Sequence, residues 1–338
     1  MTTDYSTQLP IFWFNILDSA IQDKIENSAD IWGGEAQYAV LRAADSISVY
    51  QVEHAVAKFY QRFGSDLVDV LSHSGDAFDE LELGAPVLAI LTAPTFHSFC
   101  DLLGRYSVHI HPLLKIFSRE TENGELELWI VTHEFADEIT LAIHLSLGLY
   151  LSVILKLIRR YLKAPKLCLS VHINKITIGE EVTAAFEQVF NIELKQGYPA
   201  RYFLFSKELV EKVHRKTNPE LHEQLKNLAE KQTTNTLENS IIFKVNDVFK
   251  RKQVTDITLE NVALELYMSA RTLNRKLQQQ GVSFRRLYDK YRLEQSLKML
   301  NQQNSSITHI AHEMGFSDSS AFSRAFKRWT GDSPKNIG

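Results

Sequence analysis

Residues 307–334 read ITHIAHEMGFSDSSAFSRAFKRWTGDSP, and this stretch decides how the rest of the chain is interpreted. The apolar and small pair Ile310-Ala311 lies one short turn before a hydroxyl-rich helix start, where Ser317 or Asp318 can cap the helix. Gly315 suits that turn because glycine adopts backbone conformations that strain other residues. Two short helices joined in this way form a helix-turn-helix unit, so the stretch predicts one.

Residues 259–281 repeat the pattern as LENVALELYMSARTLNRKLQQQG. Val262-Ala263 corresponds to the apolar and small pair of the other stretch, and Ser269 is a candidate N-cap for the following helix. Each second helix carries an apolar-x-Arg-x-apolar run and is followed by a glycine, Gly281 in one unit and Gly331 in the other. The sequence therefore predicts two helix-turn-helix units in tandem.

The second helix of each unit is predicted to bury its apolar residues at positions i and i+4 and to turn the side chains between them outward. A helix placed like this reads the major groove of DNA. Arg, Asn and Gln can bond two base-edge atoms at once, whereas Ser discriminates weakly. The predicted DNA-contacting residues are Ser269, Arg271, Asn274, Arg275, Lys276, Ser319, Ser320, Ser323, Arg324, Lys327 and Arg328.

The two units are joined by an amphipathic segment, residues 283–302, in which Phe284, Leu287, Tyr291 and Leu300 form one stripe. A continuous helix here fixes the distance between the two recognition helices. One polypeptide then reaches two successive major-groove faces, about 34 Å apart.

The charge distribution separates the C-terminal domain from the rest of the chain. The net charge is −4 overall, yet residues 240–338 contain 16 Lys and Arg against 9 Asp and Glu, a net +7, which leaves −11 on the remainder. A basic module attached to an acidic partner is typical of a DNA-binding domain joined to another domain.

Residues 307–334 resemble the AraC/XylS family of bacterial transcription regulators, whose pattern I-x-x-I-A-x-x-x-G-F-x-D-x-S-x-F-x-R-x-F-K-x-x-x-G-x-S-P they match. The resemblance extends over about 256–332. It implies that the base-facing positions are Arg271, Asn274, Arg275, Ser320, Ser323 and Arg324. We expect the first unit to carry most sequence specificity, and the second to hold phosphates through Lys327 and Arg328.

The residues before the basic module predict an α+β domain. Helices are expected over Val52–Phe63 and Thr95–Tyr106, and strands Leu114–Arg119 and Glu125–Thr132 flank an Asn-Gly hairpin turn. Further on we expect helix Ile139–Leu162, strand Lys166–Ile173, helix Val182–Phe190, strand Ala200–Phe205 and helix Lys207–His214. The predicted domains are 1–228 for effector sensing and dimerisation, a polar linker over 229–239, and an all-α DNA-binding domain over 240–338 in which a long helix joins the two units.

The N-terminal domain is similar to the sensor domain of the ornithine-utilisation and virulence-regulator branch of the same family. The matching features are LGAPVLAILTAPTF from Leu83, Arg105-Tyr106, YFLFS from Tyr202, and NPEL from Asn218. The resemblance implies effector binding and dimerisation and names no ligand.

Other functional classes are disfavoured. Cys100 and Cys168 form no metal-ligand or disulfide pattern, and His109-x-His111, which has the spacing of two ligands on one strand face, has no further ligand near it in sequence. No signal peptide is visible, and the uncharged stretch 139–155 is short for a membrane span. We expect no cofactor, no metal, no membrane partner and a cytoplasmic location.

The sequence thus predicts a transcription regulator, and an activator rather than a repressor, whose N-terminal domain senses a small molecule. Its expected partners are double-stranded DNA, the effector, RNA polymerase and a second copy of the chain as a homodimer. One alternative is a constitutive DNA-binding regulator whose N-terminal domain only dimerises. Another is a DNA-repair enzyme that carries a similar module, but such enzymes need reactive cysteines in a metal-ligand arrangement.

Overall fold

The computed structural model describes residues 8–111, 114–131, 141–163, 169–173, 179–196, 201–212, 216–238, 241–280, 282–300 and 306–336. The strands are β1 (Gln8–Pro10), β2 (Ser46–Ser48), β3 (Lys115–Glu120), β4 (Leu126–Val131), β5 (Leu169–Ile173), β6 (Glu193–Gln196) and β7 (Arg201–Phe205). The helices of the N-terminal part are α1 (Phe12–Gln22), α2 (Glu35–Arg42), α3 (Val49–Phe63), α4 (Asp66–Ala77), α5 (Ala85–Leu91), α6 (Phe96–Ile110), α7 (Leu141–Leu162), α8 (Glu180–Phe190), α9 (Lys207–Lys212) and α10 (Pro219–Glu238). Those of the C-terminal part are α11 (Ile241–Arg251), α12 (Leu259–Glu265), α13 (Ala270–Gln279), α14 (Phe284–Leu300), α15 (Ile307–Glu313) and α16 (Ser319–Thr330).

The predicted fold class is confirmed, with an α+β N-terminal part and a helical C-terminal part. Capping and turn residues in the sequence correctly predicted the ends of several elements. Gly64 follows the last residue of α3, Thr95 caps α6 through the backbone N–H of Ser98, and Gly124 occupies the turn between β3 and β4 at φ +76°. The positive φ explains why an Asn-Gly pair stands there.

A five-stranded sheet of order β3-β4-β7-β5-β6 organises the N-terminal part. All neighbours are antiparallel except β5 and β6, which run parallel across the crossover helix α8. Sequence patterns missed β6, because its residues ELKQ alternate too weakly to indicate a strand. They also missed α1, α2, α4 and α5.

One face of the sheet is covered by helices and forms the main core. Leu128, Val171 and Phe203 lie side by side on β4, β5 and β7 and are fully or almost fully buried. The long helix α7 packs in this core together with α3 and α4, and Trp13 of α1 donates to the carbonyl of Ile110 over 2.7 Å. Within the described residues, no helix combines the length and apolar character needed to cross a membrane.

The opposite face of the sheet packs against the C-terminal part. Phe117, Trp129, Tyr202 and His172 form a row across four strands, with ring centroids 6.0, 5.0 and 4.3 Å apart in that order. Trp129 and Tyr202 belong to one hydrophobic cluster with Leu293 and other residues of α14, α15 and α16. This single sheet therefore separates the core of the N-terminal part from the second helix-turn-helix unit.

His109 and His111 do not share a strand face, because His109 lies in α6 and His111 is the C-cap of that helix. Among the described residues no group of three or more His, Cys, Asp and Glu is arranged to hold a metal ion. Helix α10 runs from Pro219 to Glu238 and so includes most of the predicted linker 229–239; the domain boundaries stay a prediction.

Candidate nucleic-acid interface

The two units consist of four short helices, and each helix is capped by the side chain of the residue directly before it. Thr258, Ser269, Ser306 and Asp318 adopt extended backbone conformations and accept hydrogen bonds from the first-turn backbone N–H groups of α12, α13, α15 and α16. An N-cap of this kind typically stabilises a helix by about 1 kcal/mol. At Asp318 the backbone N–H of Ala321 donates over 2.7 Å and lowers the pKa of the carboxyl below its ordinary value.

The turns of the two units have the same backbone shape but different residues. Gly315 lies at φ +70° in the second unit, as the sequence predicted. The corresponding residue of the first unit is Tyr267, at φ +54°, with its side chain almost fully exposed. A side chain in the left-handed region costs roughly 1 kcal/mol, so the first turn is held by the packing of the helices on either side of it.

Helix α13 presents the predicted contacts of the first unit. Leu273 and Leu277 are fully buried in a cluster that includes α11 and α14, as expected from their spacing. On the other face Arg271, Arg275 and Lys276 are exposed and Asn274 is half-buried, while Ser269 is exposed at the helix start and bound to the backbone N–H of Thr272. The helix thus carries two guanidinium groups and an amide on one open face.

Helix α16 presents the predicted DNA contacts of the second unit. Phe322 and Phe326 are fully buried. Ser320, Arg324 and Lys327 are exposed, whereas Ser319 and Ser323 are half-buried. The open face therefore offers hydroxyl groups and two cations, which fits the expectation that this unit holds phosphates more than it reads bases.

Arg328 has an intramolecular partner that sequence reasoning missed. Its guanidinium donates to Asp289 of α14 over 3.3 Å. Asp289 is almost fully buried and also bonds Arg292 over 3.3 Å, and the Arg292 guanidinium lies 3.7 Å from the ring centroid of Phe316. The Arg328–Asp289 ion pair connects α16 to α14. The predicted contact of Arg328 with DNA stays a prediction.

Only part of the signal for this ion cluster was present in the sequence. Asp289 and Arg292 are three residues apart on α14, so they lie on the same side of the helix, but the spacing does not show that this side is buried. Charged residues on a buried face need partners, because an unpaired buried charge is costly. Burial raises the pKa of Asp289 even though Arg292 and Arg328 pull it down.

Helix α14 connects the units over 17 residues, as predicted, and also meets the sheet. Its Glu294 forms ion pairs with Lys115 of β3 and with Lys298, the latter at 2.9 Å. Burial alone would raise the pKa of Glu294, but the two lysines hold it below its ordinary value. In the Lys115–Glu294 pair the signs are opposite to the net charges of the two parts, because the acidic N-terminal part contributes the cation and the basic C-terminal part contributes the anion.

His172 lies at the end of the aromatic row and makes the stability of the folded state sensitive to acid. It is almost fully buried, and burial together with nearby Lys195 lowers its pKa to about 4. The folded state favours the neutral imidazole ring of His172. The contribution of His172 to the free energy of unfolding is therefore complete above pH 6.5 and is lost as the pH falls to 4. We expect a loss on the order of 3 kcal/mol over that window.

Urea denaturation of the wild type and of His172→Gln at pH 7 and pH 4.5 measures this contribution. The variant should lose less stability on acidification than the wild type. His312→Gln, at an exposed position, is the control and should behave like the wild type. Identical pH dependence in His172→Gln and wild type would contradict the assignment.

Comparisons with known proteins agree with this geometry. Residues 262–337 match the family described as a helix-turn-helix domain. The chain is 26% identical over 152 residues to the ornithine utilization regulator of Pseudomonas aeruginosa, which is 45% of each protein. It is 36% identical over 112 residues to the transcriptional activator RhaS of Klebsiella pneumoniae, covering 32% of this chain and 39% of RhaS.

Among solved structures, the transcriptional regulator CdpR of Pseudomonas aeruginosa aligns over 80% of this chain and 85% of its own, at 19% identity and a TM-score of 0.39. The chain spans less than half the length of the two sequence relatives. Those relatives are named as regulators, and the family match at residues 262–337 covers nearly all of the two capped helix-turn-helix units. Residues 262–337 therefore form a helix-turn-helix domain of the AraC/XylS type, similar to those of relatives named as transcription regulators.

Proposed function

We propose that this protein is a cytoplasmic, sequence-specific DNA-binding regulator of transcription whose N-terminal domain senses a small molecule. One observation carries the proposal. Two capped recognition helices, α13 and α16, expose Arg271, Arg275 and Arg324 and are held together by the single helix α14. RhaS is named an activator, which favours activation of transcription over repression for this chain. The proposal also includes contact with RNA polymerase and formation of a homodimer, and both of these rest on the family resemblance alone.

Signal transfer in this proposal uses the contact between the sheet and the C-terminal domain. Trp129 and Tyr202 share a hydrophobic cluster with α14, α15 and α16, and Lys115 pairs with Glu294 on α14. Helix α14 also connects the two units. An effector that favours one position of the sheet against α14 shifts the population of DNA-binding arrangements, typically by 5- to 150-fold in affinity.

The alternative of a repair enzyme finds no support at Cys100. That thiol is fully buried, and burial together with the nearby Asp101 carboxylate raises its pKa well above the ordinary value. A reactive cysteine needs the opposite, an accessible thiol with a lowered pKa. Cys168 lies outside the described residues.

DNA binding itself is tested with the full-length protein on DNA sites that it selects from a random-sequence library. Affinity should fall steeply with salt, because each phosphate contact adds about one to the slope of log affinity against log salt. Lys276→Ala and Lys327→Ala should each reduce the slope by about one.

Lys231→Ala, at an exposed position on α10, is the matched control and should leave the slope unchanged. Selection of no sequence from the library would contradict the proposed function. A constitutive regulator would select a site but would show no stabilisation by any metabolite in a thermal-shift screen.

A further inference from the structure

Two large apolar side chains lie open on the surface of the first helix-turn-helix unit. Leu264, near the end of α12, is 75% exposed, and Tyr267, in the turn that follows, is 98% exposed. Among the described residues these are the two most exposed large hydrophobic side chains. The backbone N–H of Tyr267 donates to the carbonyl of Leu264 over 3.0 Å, so the two residues are neighbours. They form a small apolar patch that the rest of the chain does not cover.

The second unit shows that the fold requires neither side chain. In its turn the backbone N–H of Gly315 donates to the carbonyl of His312 over 2.9 Å, so His312 and Gly315 occupy the positions of Leu264 and Tyr267. Glycine adopts a positive φ without strain, whereas Tyr267 at φ +54° is strained, and its exposed ring gains almost no packing in return. A strained residue that does nothing for its own fold points to contact with another molecule.

The charge beside this patch indicates the chemistry of that molecule. Glu260 lies one helical turn before Leu264 on α12 and is exposed. Glu265, the other carboxylate of α12, already pairs with Lys252 at 2.9 Å, so Glu260 supplies the charge that a partner meets.

That negative charge selects among three kinds of partner. It repels the phosphates of DNA. A second copy of the chain, docked on this surface by two-fold symmetry, brings an identical acidic patch against the first. A different protein that offers a basic side chain next to an apolar groove meets neither obstacle, and tyrosine is among the side chains that contribute most to such interfaces.

We propose that Glu260, Leu264 and Tyr267 form a docking surface for RNA polymerase bound beside this protein on the same DNA. Helix α12 belongs to the same unit as the recognition helix α13, so the surface is held next to the DNA when α13 reads bases. The inference rests on the proposed function, which includes contact with RNA polymerase, and it assigns that contact to named residues.

The surface is tested by transcription in vitro with the full-length protein and purified bacterial RNA polymerase holoenzyme. The templates carry the library-selected DNA at every spacing over two helical turns upstream of a weak promoter, and the protein saturates the DNA. Leu264→His combined with Tyr267→Gly gives the first unit the residues of the second. This double variant should reduce activation roughly 10-fold, as expected when central interface side chains are lost. Leu81→His, at a leucine that is 68% exposed in the N-terminal part, is the matched control and should activate as the wild type does.

DNA affinity, melting and oligomeric state separate this role from others. The double variant should bind the selected DNA as tightly as the wild type, and Tyr267→Gly alone should melt at no lower temperature, because glycine removes the strain. A loss of DNA affinity that matches the loss of activation would show that these side chains touch DNA and would overturn the proposal. A change of oligomeric state would assign the surface to a second copy instead and would overturn it as well.

The charge of Glu260 is tested with two further variants under the same conditions. Glu260→Lys should lower activation more than Glu260→Gln, because it places a cation against a basic partner. A photo-crosslinking residue at position 264 should attach to a polymerase subunit on the template, and one at position 81 should not.

The results distinguish the surface from the function on which it rests. Failure to select any DNA would contradict the proposed function. A wild type that binds the selected DNA but activates at no spacing would overturn the surface alone. So would full activation by the double variant or by Glu260→Lys.

Discussion

Asp289→Ala is expected to destabilise the protein by about 3–5 kcal/mol, the usual cost of removing one partner from a buried ion cluster. Asp289 is almost fully buried and binds Arg292 and Arg328, and the side chain of Arg292 is itself only 12% exposed. Burial raises the pKa of Asp289 despite these arginines, so the cluster gains little energy from its charges. The cost arises because Arg292 is left buried without its carboxylate.

Urea denaturation monitored by circular dichroism measures this loss. Asp289→Asn keeps the shape and part of the hydrogen bonding and should lose less. The matched control is Asp247→Ala, which removes an exposed pair with Arg251 on α11 and should cost less than about 1 kcal/mol. If Asp289→Ala costs no more than this control, the cluster is not what holds α16 against α14.

Replacing Arg271 and Arg275 together with alanine is expected to cost about 2–6 kcal/mol of binding to the selected DNA. Each residue is exposed on the open face of α13, and each arginine that bonds a base edge in two places is worth about 1–3 kcal/mol. Binding to random DNA should change far less, because that binding depends mainly on phosphates.

Fluorescence anisotropy on selected and on random DNA separates the two effects. Lys276→Ala, on the same exposed helix, serves as the control and should weaken both kinds of binding alike. A double variant that loses affinity equally for both DNAs would show that α13 does not read bases.

The candidate interface was largely predictable because its determinants are local. The caps Ser269 and Asp318, the turn at Gly315 and the buried pair Leu273 and Leu277 all act within one or two helical turns. Short-range geometry of this kind depends on the residues themselves, so the exposed positions of α13 and α16 followed from the spacing. Tyr267 shows the limit, since its residue type gave no sign of a left-handed turn.

Long-range pairing was beyond the sequence patterns. Strand β6 has little alternation of its own and exists because it pairs in parallel with β5. The order that places β7 between β4 and β5 aligns Trp129, Tyr202 and His172 in one row, although these residues come from three separate parts of the chain. No spacing rule relates them.

The sequence by itself determined that the C-terminal domain carries two capped helix-turn-helix units with arginines on an open helix face, because caps, turns and helical spacing are local. Only the tertiary structure decided that Arg328 bonds Asp289, that Lys115 bonds Glu294, and that Arg201 lines an apolar pocket behind the sheet. The two ion pairs join residues 39 and 179 positions apart, and Arg201 is a charge within a core; all three depend on how whole elements pack.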